Sequence, residues 1–178
     1  PRAYTDMKGT TKQEGNPNGH IIRVKEGSAG AAATTFTWDL YALGAQSDAD
    51  GSKVNLSNLT ADQDFSSPDG LVFSPATGIM WIQTDDGAYT DVTNCMMLAA
   101  LPGQVGDGAK KTLSYTKADG STLAVDTYVG KTPTPSTLKR FLVGPKACEI
   151  TGLCETPDGK AVFINIQHPG ETTALADI

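Results

Sequence analysis

Residues 65–87 read FSSPDGLVFSPATGIMWIQTDDG, and this stretch decides the fold. Two short apolar runs, Gly70–Phe73 and Ile79–Thr84, flank the turn Ser74-Pro75-Ala76-Thr77-Gly78. Runs of that length bounded by Pro and Gly read as paired strands, because Pro presets φ for a turn and Gly supplies a left-handed position. The same punctuation recurs outward in both directions. His20–Glu26, Thr35–Leu43, Asn94–Ala100, Leu138–Val143, Cys148–Cys154 and Ala161–Gln167 are all of strand length. Thr112–Val129 alternates around Ala118-Asp119-Gly120, an Asp-Gly hairpin signal. No segment sustains a 3.6-residue apolar period, so the chain is predicted to be all-β, with at most a turn or two of helix. The residues before His20 and the Thr/Pro-rich Lys131–Ser136 read as loop and linker. Gly44–Ser66, rich in Asp, Ser, Asn and Gly, reads as a long surface loop.

At 178 residues the chain is one domain, or a segment of a larger one. It opens at Pro1, which is expected of a cleaved or excised segment. Lys plus Arg number 14 against 20 for Asp plus Glu, a net charge of −6. That balance excludes gripping nucleic acid or an anionic membrane through a basic face, and leaves cation binding open. No apolar run approaches a membrane span, and no signal peptide is visible. Three Cys at irregular spacing make no disulfide framework and no zinc pair; buried thiols are expected. Cys148 adjoins Glu149, whose charge raises a thiol pKa and makes it a poor nucleophile. Only two His occur, so a bound metal must rely on carboxylates, the ligands of hard cations. Asp48-Ala49-Asp50-Gly51-Ser52 lacks the closing Glu of a calcium loop and reads as solvated loop.

Two segments superpose without gaps. Ser67-Pro68-Asp69-Gly70-Leu71-Val72-Phe73-Ser74-Pro75 lies over Glu149-Ile150-Thr151-Gly152-Leu153-Cys154-Glu155-Thr156-Pro157, matching the Gly-Leu pair and the Pro of the next turn. Each runs on into a further strand. The repeat predicts blades of a β-propeller, four-stranded sheets around a channel, the alternative being that any two Pro-Asp-Gly hairpins look alike. Its spacing exceeds the roughly 40–50 residues of common blades, so an interposed blade or an insertion is required. Asp69 and Glu149 or Thr151 should then face one site, about 10 Å apart given calcium–ligand distances of about 2.4 Å. The turns Ser74–Gly78 and Thr156–Lys160 should lie together at the other end. A blade edge left open should be covered by the 44–66 loop or by another copy of the chain, a route to self-association.

Several strings carry a resemblance. Asn16-Pro17-Asn18-Gly19-His20-Ile21-Ile22-Arg23, Ser67-Pro68-Asp69-Gly70-Leu71, Arg140-Phe141-Leu142-Val143-Gly144-Pro145-Lys146, Cys148-Glu149-Ile150-Thr151-Gly152 and Asn165-Ile166-Gln167-His168-Pro169-Gly170-Glu171 resemble, in order, the C-terminal part of the PhoX-type alkaline phosphatases. The resemblance implies a β-propeller phosphomonoesterase using iron and calcium at the propeller centre, exported by a twin-arginine signal and so periplasmic or secreted. The chain departs from that pattern: it lacks the upstream Arg-Pro-Glu motif and the iron-bridging Cys, ends soon after Glu171, and carries an apparent insertion at Thr112–Ser136. The isolated segment is therefore expected to be inactive. The rival reading is a non-catalytic propeller module serving binding or scaffolding.

In the family the Asp of Pro-Asp-Gly is a metal ligand, which points to Asp69; the alternative is an Asp capping its own turn, as expected of Asp158. Glu149 sits between Cys148 and Ile150, an awkward place for a charge unless it faces a metal or polar channel; an edge Glu facing water is the alternative. Thr151, aligned with Asp69, is expected to be a channel-lining hydroxyl that helps bind substrate. Arg140 and Lys146 could hold phosphate through charge-assisted hydrogen bonds, or merely solubilise strand ends. His168 could ligate, shuttle a proton or fix its loop, and loop-fixing is the expected role.

Overall fold

The computed structural model describes residues 18–52, 54–85, 93–116 and 119–177. Asn16, Pro17 and Ala118, which carry parts of the readings above, lie outside the described residues, as do Asp86 and Gly87. Ten strands succeed one another: β1 (His20–Glu26), β2 (Phe36–Leu43), β3 (Pro68–Phe73), β4 (Met80–Thr84), β5 (Met96–Ala100), β6 (Ala109–Thr116), β7 (Thr122–Val129), β8 (Leu138–Val143), β9 (Glu149–Glu155) and β10 (Val162–Gln167). The helical content of the described residues is two short 3-10 turns, Gly30–Ala32 and Leu175–Asp177.

β3, β4, β5 and β8 form an antiparallel meander, and β9 and β10 form a hairpin. β1, β2, β7 and β6 make the remaining sheet, where β2 meets β7 in parallel at Leu40 and Val129. The meander is covered on both faces, which is why β4 and β5 read as continuous apolar runs and not as alternation. On one face Met80, Ile82, Met96, Leu98 and Leu138 pack with Ile21, Tyr41, Leu59 and Phe65. On the other, Trp81 and Met97 pack with Cys148 and Ile150, with Leu153 and Ile164 at the margin. Each such fully buried side chain is worth about 1.5–3 kcal/mol of apolar transfer. The meander is thus one propeller blade, and β9–β10 opens the next.

The long repeat spacing comes from an insertion. The chain leaves the meander after β5 and returns before β8, with the Leu101 amide donating to the Thr137 carbonyl at 2.8 Å. The excursion is wider than Thr112–Ser136: it runs over 101–137 and carries β6 and β7 to the β1–β2 sheet. Gly70 and Gly152 are 82 positions apart, and 45 without those 37 residues, which is the length of one blade.

Arg23 anchors the insertion. Its guanidinium donates to both Asp39 oxygens at 2.8 and 2.6 Å, to Asp107 at 2.7 and 3.1 Å, and to the Pro102 carbonyl at 2.7 Å. Asp107 also accepts from the Gln104 and Lys131 amides, and Asp39 from that of Gly106.

The 44–66 segment is irregular apart from an Ala45–Phe65 bridge, but much of it is not surface. Asn55, Ser57, Leu59 and Gln63–Ser66 are buried. Its polar side chains make this affordable: Asn55 exchanges hydrogen bonds with the Leu59 backbone, and Ser57 Oγ accepts from the Leu43 amide. The segment also covers the outer edge of β8, where the Arg140 amide donates to the Asp62 carbonyl at 3.0 Å. Of the three thiols Cys95 and Cys148 are buried and Cys154 is exposed, contrary to expectation, since it pairs with Phe163 on the outer face of the last hairpin.

Candidate functional site

β3–β4 and β9–β10 are repeat-related hairpins lying side by side. Their turns meet at one end: Ser74 Oγ donates to Glu155 at 2.8–2.9 Å, and Gly159 lies against Ala76. Antiparallel pairing therefore brings the start of β3, the end of β4, the start of β9 and the end of β10 together at the other end. Those four ends carry Asp69, Asp85, Glu149 and His168.

Asp69 is the residue skipped in the β3–β4 register, a bulge between the Pro68–Thr84 and Gly70–Gln83 pairs. A bulge bends its strand and re-aims one side chain, and bulges gather beside functional sites. Asp158, in the other Pro-Asp-Gly, caps its own turn as expected, accepting from Lys160 N and Thr156 Oγ1. Glu149 is buried. Asp69 is a hydrogen-bonding neighbour of its carboxyl, and Asp85 adds a third negative charge. Burial first, then Asp85 and Asp69, push the Glu149 carboxyl above its ordinary range, with His168 opposing. His168 lies 3.7 Å from Glu149 through Nε2 and 3.3 Å from Glu171 through Nδ1. Its loop is fixed by the Gly170 amide donating to Lys146 O and the Glu171 amide to Ala147 O.

The family-like strings converge here. Asn18 O accepts the Ser67 amide at 2.7 Å, and Gly19 lies against Pro68. Thr151 is half-buried two residues into β9, opposite Asn165. Lys146 is exposed, beside the His168 loop. Arg140 is not brought to the site. It lies on β8, the far edge of the meander from β3, and its guanidinium is ion-paired with Asp64 of the 44–66 segment. Its charge ties that loop to the sheet, away from the carboxylate end of the hairpins. Sequence reading also missed Asp85 and Glu171. Counting antiparallel partners back from the Ser74–Gly78 turn would have placed residue 85 beside Ser67, whose carbonyl accepts its amide.

Among the described residues no three His, Cys, Asp or Glu side chains are arranged to hold a metal ion by themselves. The donor chemistry nevertheless fits a hard cation. Crowded carboxylates, one buried and held partly against ionisation, are oxygen donors whose mutual repulsion a cation relieves.

No curated protein matches the chain. Among solved structures, Pseudomonas fluorescens PhoX in complex with vanadate, a transition state analogue, is similar at 32% identity with a TM-score of 0.64. The similarity covers 89% of this chain and 23% of that one, so the chain spans about a quarter of the length of that relative. The family described as alkaline phosphatase PhoX matches over residues 3–170, and that match takes in both repeat segments and every residue of the carboxylate site except Glu171. The chain belongs to the PhoX alkaline phosphatase family.

Proposed function

We propose that this chain supplies part of the phosphomonoester-hydrolysing site of a PhoX-type alkaline phosphatase, at the open ends of β3–β4 and β9–β10. The observation that carries the reading is the convergence of Asp69 on a buried Glu149 whose carboxyl is pushed up by burial and like charge. Asp69 and Glu149 are the metal ligands in this reading, and calcium and iron are the ions it assigns. A bound cation would neutralise the carboxylates and polarise a phosphoryl oxygen. His168 stands beside the Glu149 carboxyl, with Glu171 on its other nitrogen. Thr151 offers a hydroxyl along the same strand, and exposed Lys146 offers positive charge to an anionic ester beside an acidic cluster. The vanadate complex of the relative supports phosphoryl chemistry as the class of reaction. The location assigned to the whole protein is periplasmic or secreted.

The test is hydrolysis of p-nitrophenyl phosphate, with calcium and iron, by a polypeptide carrying this chain together with further blades. Asp69→Asn and Glu149→Gln should each lower kcat/KM by about 100-fold or more, in the range seen when one transition-state-stabilising group is removed. The isolated chain should be inactive. Unchanged kcat/KM in both variants would overturn the site, and a metal-loaded parent without turnover would favour the non-catalytic module.

A further inference from the structure

The face of β4 that meets β9 is apolar except at Gln83. Trp81 precedes it on that face, Met97 pairs with it, and both belong to the apolar cluster that includes Ile150 and Leu153. Gln83 is 2% exposed, and a buried amide is costly unless its hydrogen bonds are made. Its Nε2 donates to the Gly152 carbonyl, 3.0 Å away on β9 in the next blade.

Two glycines make that bond geometrically feasible. Gly70 pairs directly with Gln83, and a Cβ there would come 2.8 Å from Gln83 Oε1 and 3.3 Å from its Cβ. The missing side chain is the space in which the amide lies. Gly152 has φ +53°, a conformation that suits glycine, and it is skipped in the β9–β10 register. Gln83 thus spans two register gaps. One sits at Asp69, next to Gly70, and the other at Gly152, three residues from Glu149. The pattern repeats at Gly152, where a Cβ would come 2.8 Å from Asn165 Nδ2.

We propose that Gln83 is a positioning residue for the carboxylate site. By tying β4, and with it the bulged head of its partner β3, to β9 it sets the separation of Asp69 and Glu149, and with it the affinity for a hard cation. This rests on the reading of those two carboxylates as a cation site. Two variants approach it independently: Gln83→Met keeps length and apolar packing but removes the donor, and Gly70→Ala displaces the amide without altering it. Terbium(III), an oxygen-seeking probe, is titrated by luminescence into the chain and each variant, with thermal melts confirming folding. Both variants should bind terbium at least tenfold more weakly while still melting cooperatively. Gln83→Met combined with Asp69→Asn should bind no more weakly than Asp69→Asn alone. A purely structural Gln83 would lower the melting temperature and leave terbium affinity intact, and that result overturns the proposal. If the chain takes up no terbium at a site removed by Asp69→Asn, the cation reading fails. The positioning role is then judged by the Asp69–Glu149 side-chain proton contact in nuclear Overhauser spectra. Its loss in Gln83→Met supports the tie, and its retention overturns it.

Discussion

Two charged regions of this chain are built on opposite principles. At the foot of the insertion, Arg23 lies between Asp39 and Asp107, opposite charges in direct contact with every oxygen of Asp107 supplied with donors. At the heads of β3 and β9, Asp69, Asp85 and Glu149 crowd like charges together, and a half-exposed His168 is the opposing group. The first region is satisfied within the chain and holds an element in place. The second gathers like charges at one end of two hairpins, an arrangement that the proposed cation would relieve. The Arg23 contacts hold the Asp107 carboxyl well below its usual range, whereas burial and neighbours push Glu149 up.

The largest effect should come from breaking the satisfied region. Arg23→Met leaves Asp39, 1% exposed, without its cation, and should cost about 3–5 kcal/mol in urea unfolding. A loss below about 1 kcal/mol, the scale of an exposed pair, would mean that the insertion is held by other contacts. Next, Ser74→Ala removes the hydrogen bonds from the β3–β4 turn to Glu155 and should cost about 0.5–1.5 kcal/mol. No change there would separate the turns from the geometry of the opposite end.

Glu149→Gln sharpens the contrast because its sign is reversed. Without metal at neutral pH it should stabilise the chain by about 0.5–1 kcal/mol, the scale of partly screened charge pairs. A raised folded pKa means that the native state holds a proton which the unfolded chain releases above its ordinary value of 4.5. Native stability from this group therefore falls as pH rises from there through the raised value, and the Gln advantage should vanish in acid. Asp107 runs the other way: its folded pKa is depressed, so its contribution is present above the ordinary 3.8 and lost as pH falls below it. Melting curves across pH should resolve both slopes. Smallest of all, Lys110→Ala removes an ion pair with Asp126 in which both side chains are about half exposed, and should change nothing measurable.

Most strands were legible because short apolar runs here end on Pro and Gly. The meander strands β4 and β5 lacked alternation, and their burial on both faces explains why. The two Pro-Asp-Gly triplets show what local sequence leaves open. Asp158 caps a turn and Asp69 opens a strand, a difference readable from the residues just downstream: Lys160 after one glycine, Leu71-Val72-Phe73 after the other. Glu149 was legible as a charge in an apolar strand. Arg140 was not: its partner Asp64 is 76 positions away in an irregular segment, and no periodicity predicts such a pair. Gln83 escaped notice for a related reason. An amide amid MWIQT marks a tie to another blade only once Gly152 is seen opposite it.

Everything turns on Asp69 and Glu149 meeting at the heads of two adjacent strands. The measurement that tests this most directly is the pKa of the Glu149 side-chain carboxyl, read by carbon-13 NMR in the metal-free chain and in Asp69→Asn. The account predicts a value above 4.5 that moves down toward the ordinary range when Asp69 loses its charge. A Glu149 that titrates at its ordinary value and ignores the substitution would place the two carboxylates apart and contradict the shared site.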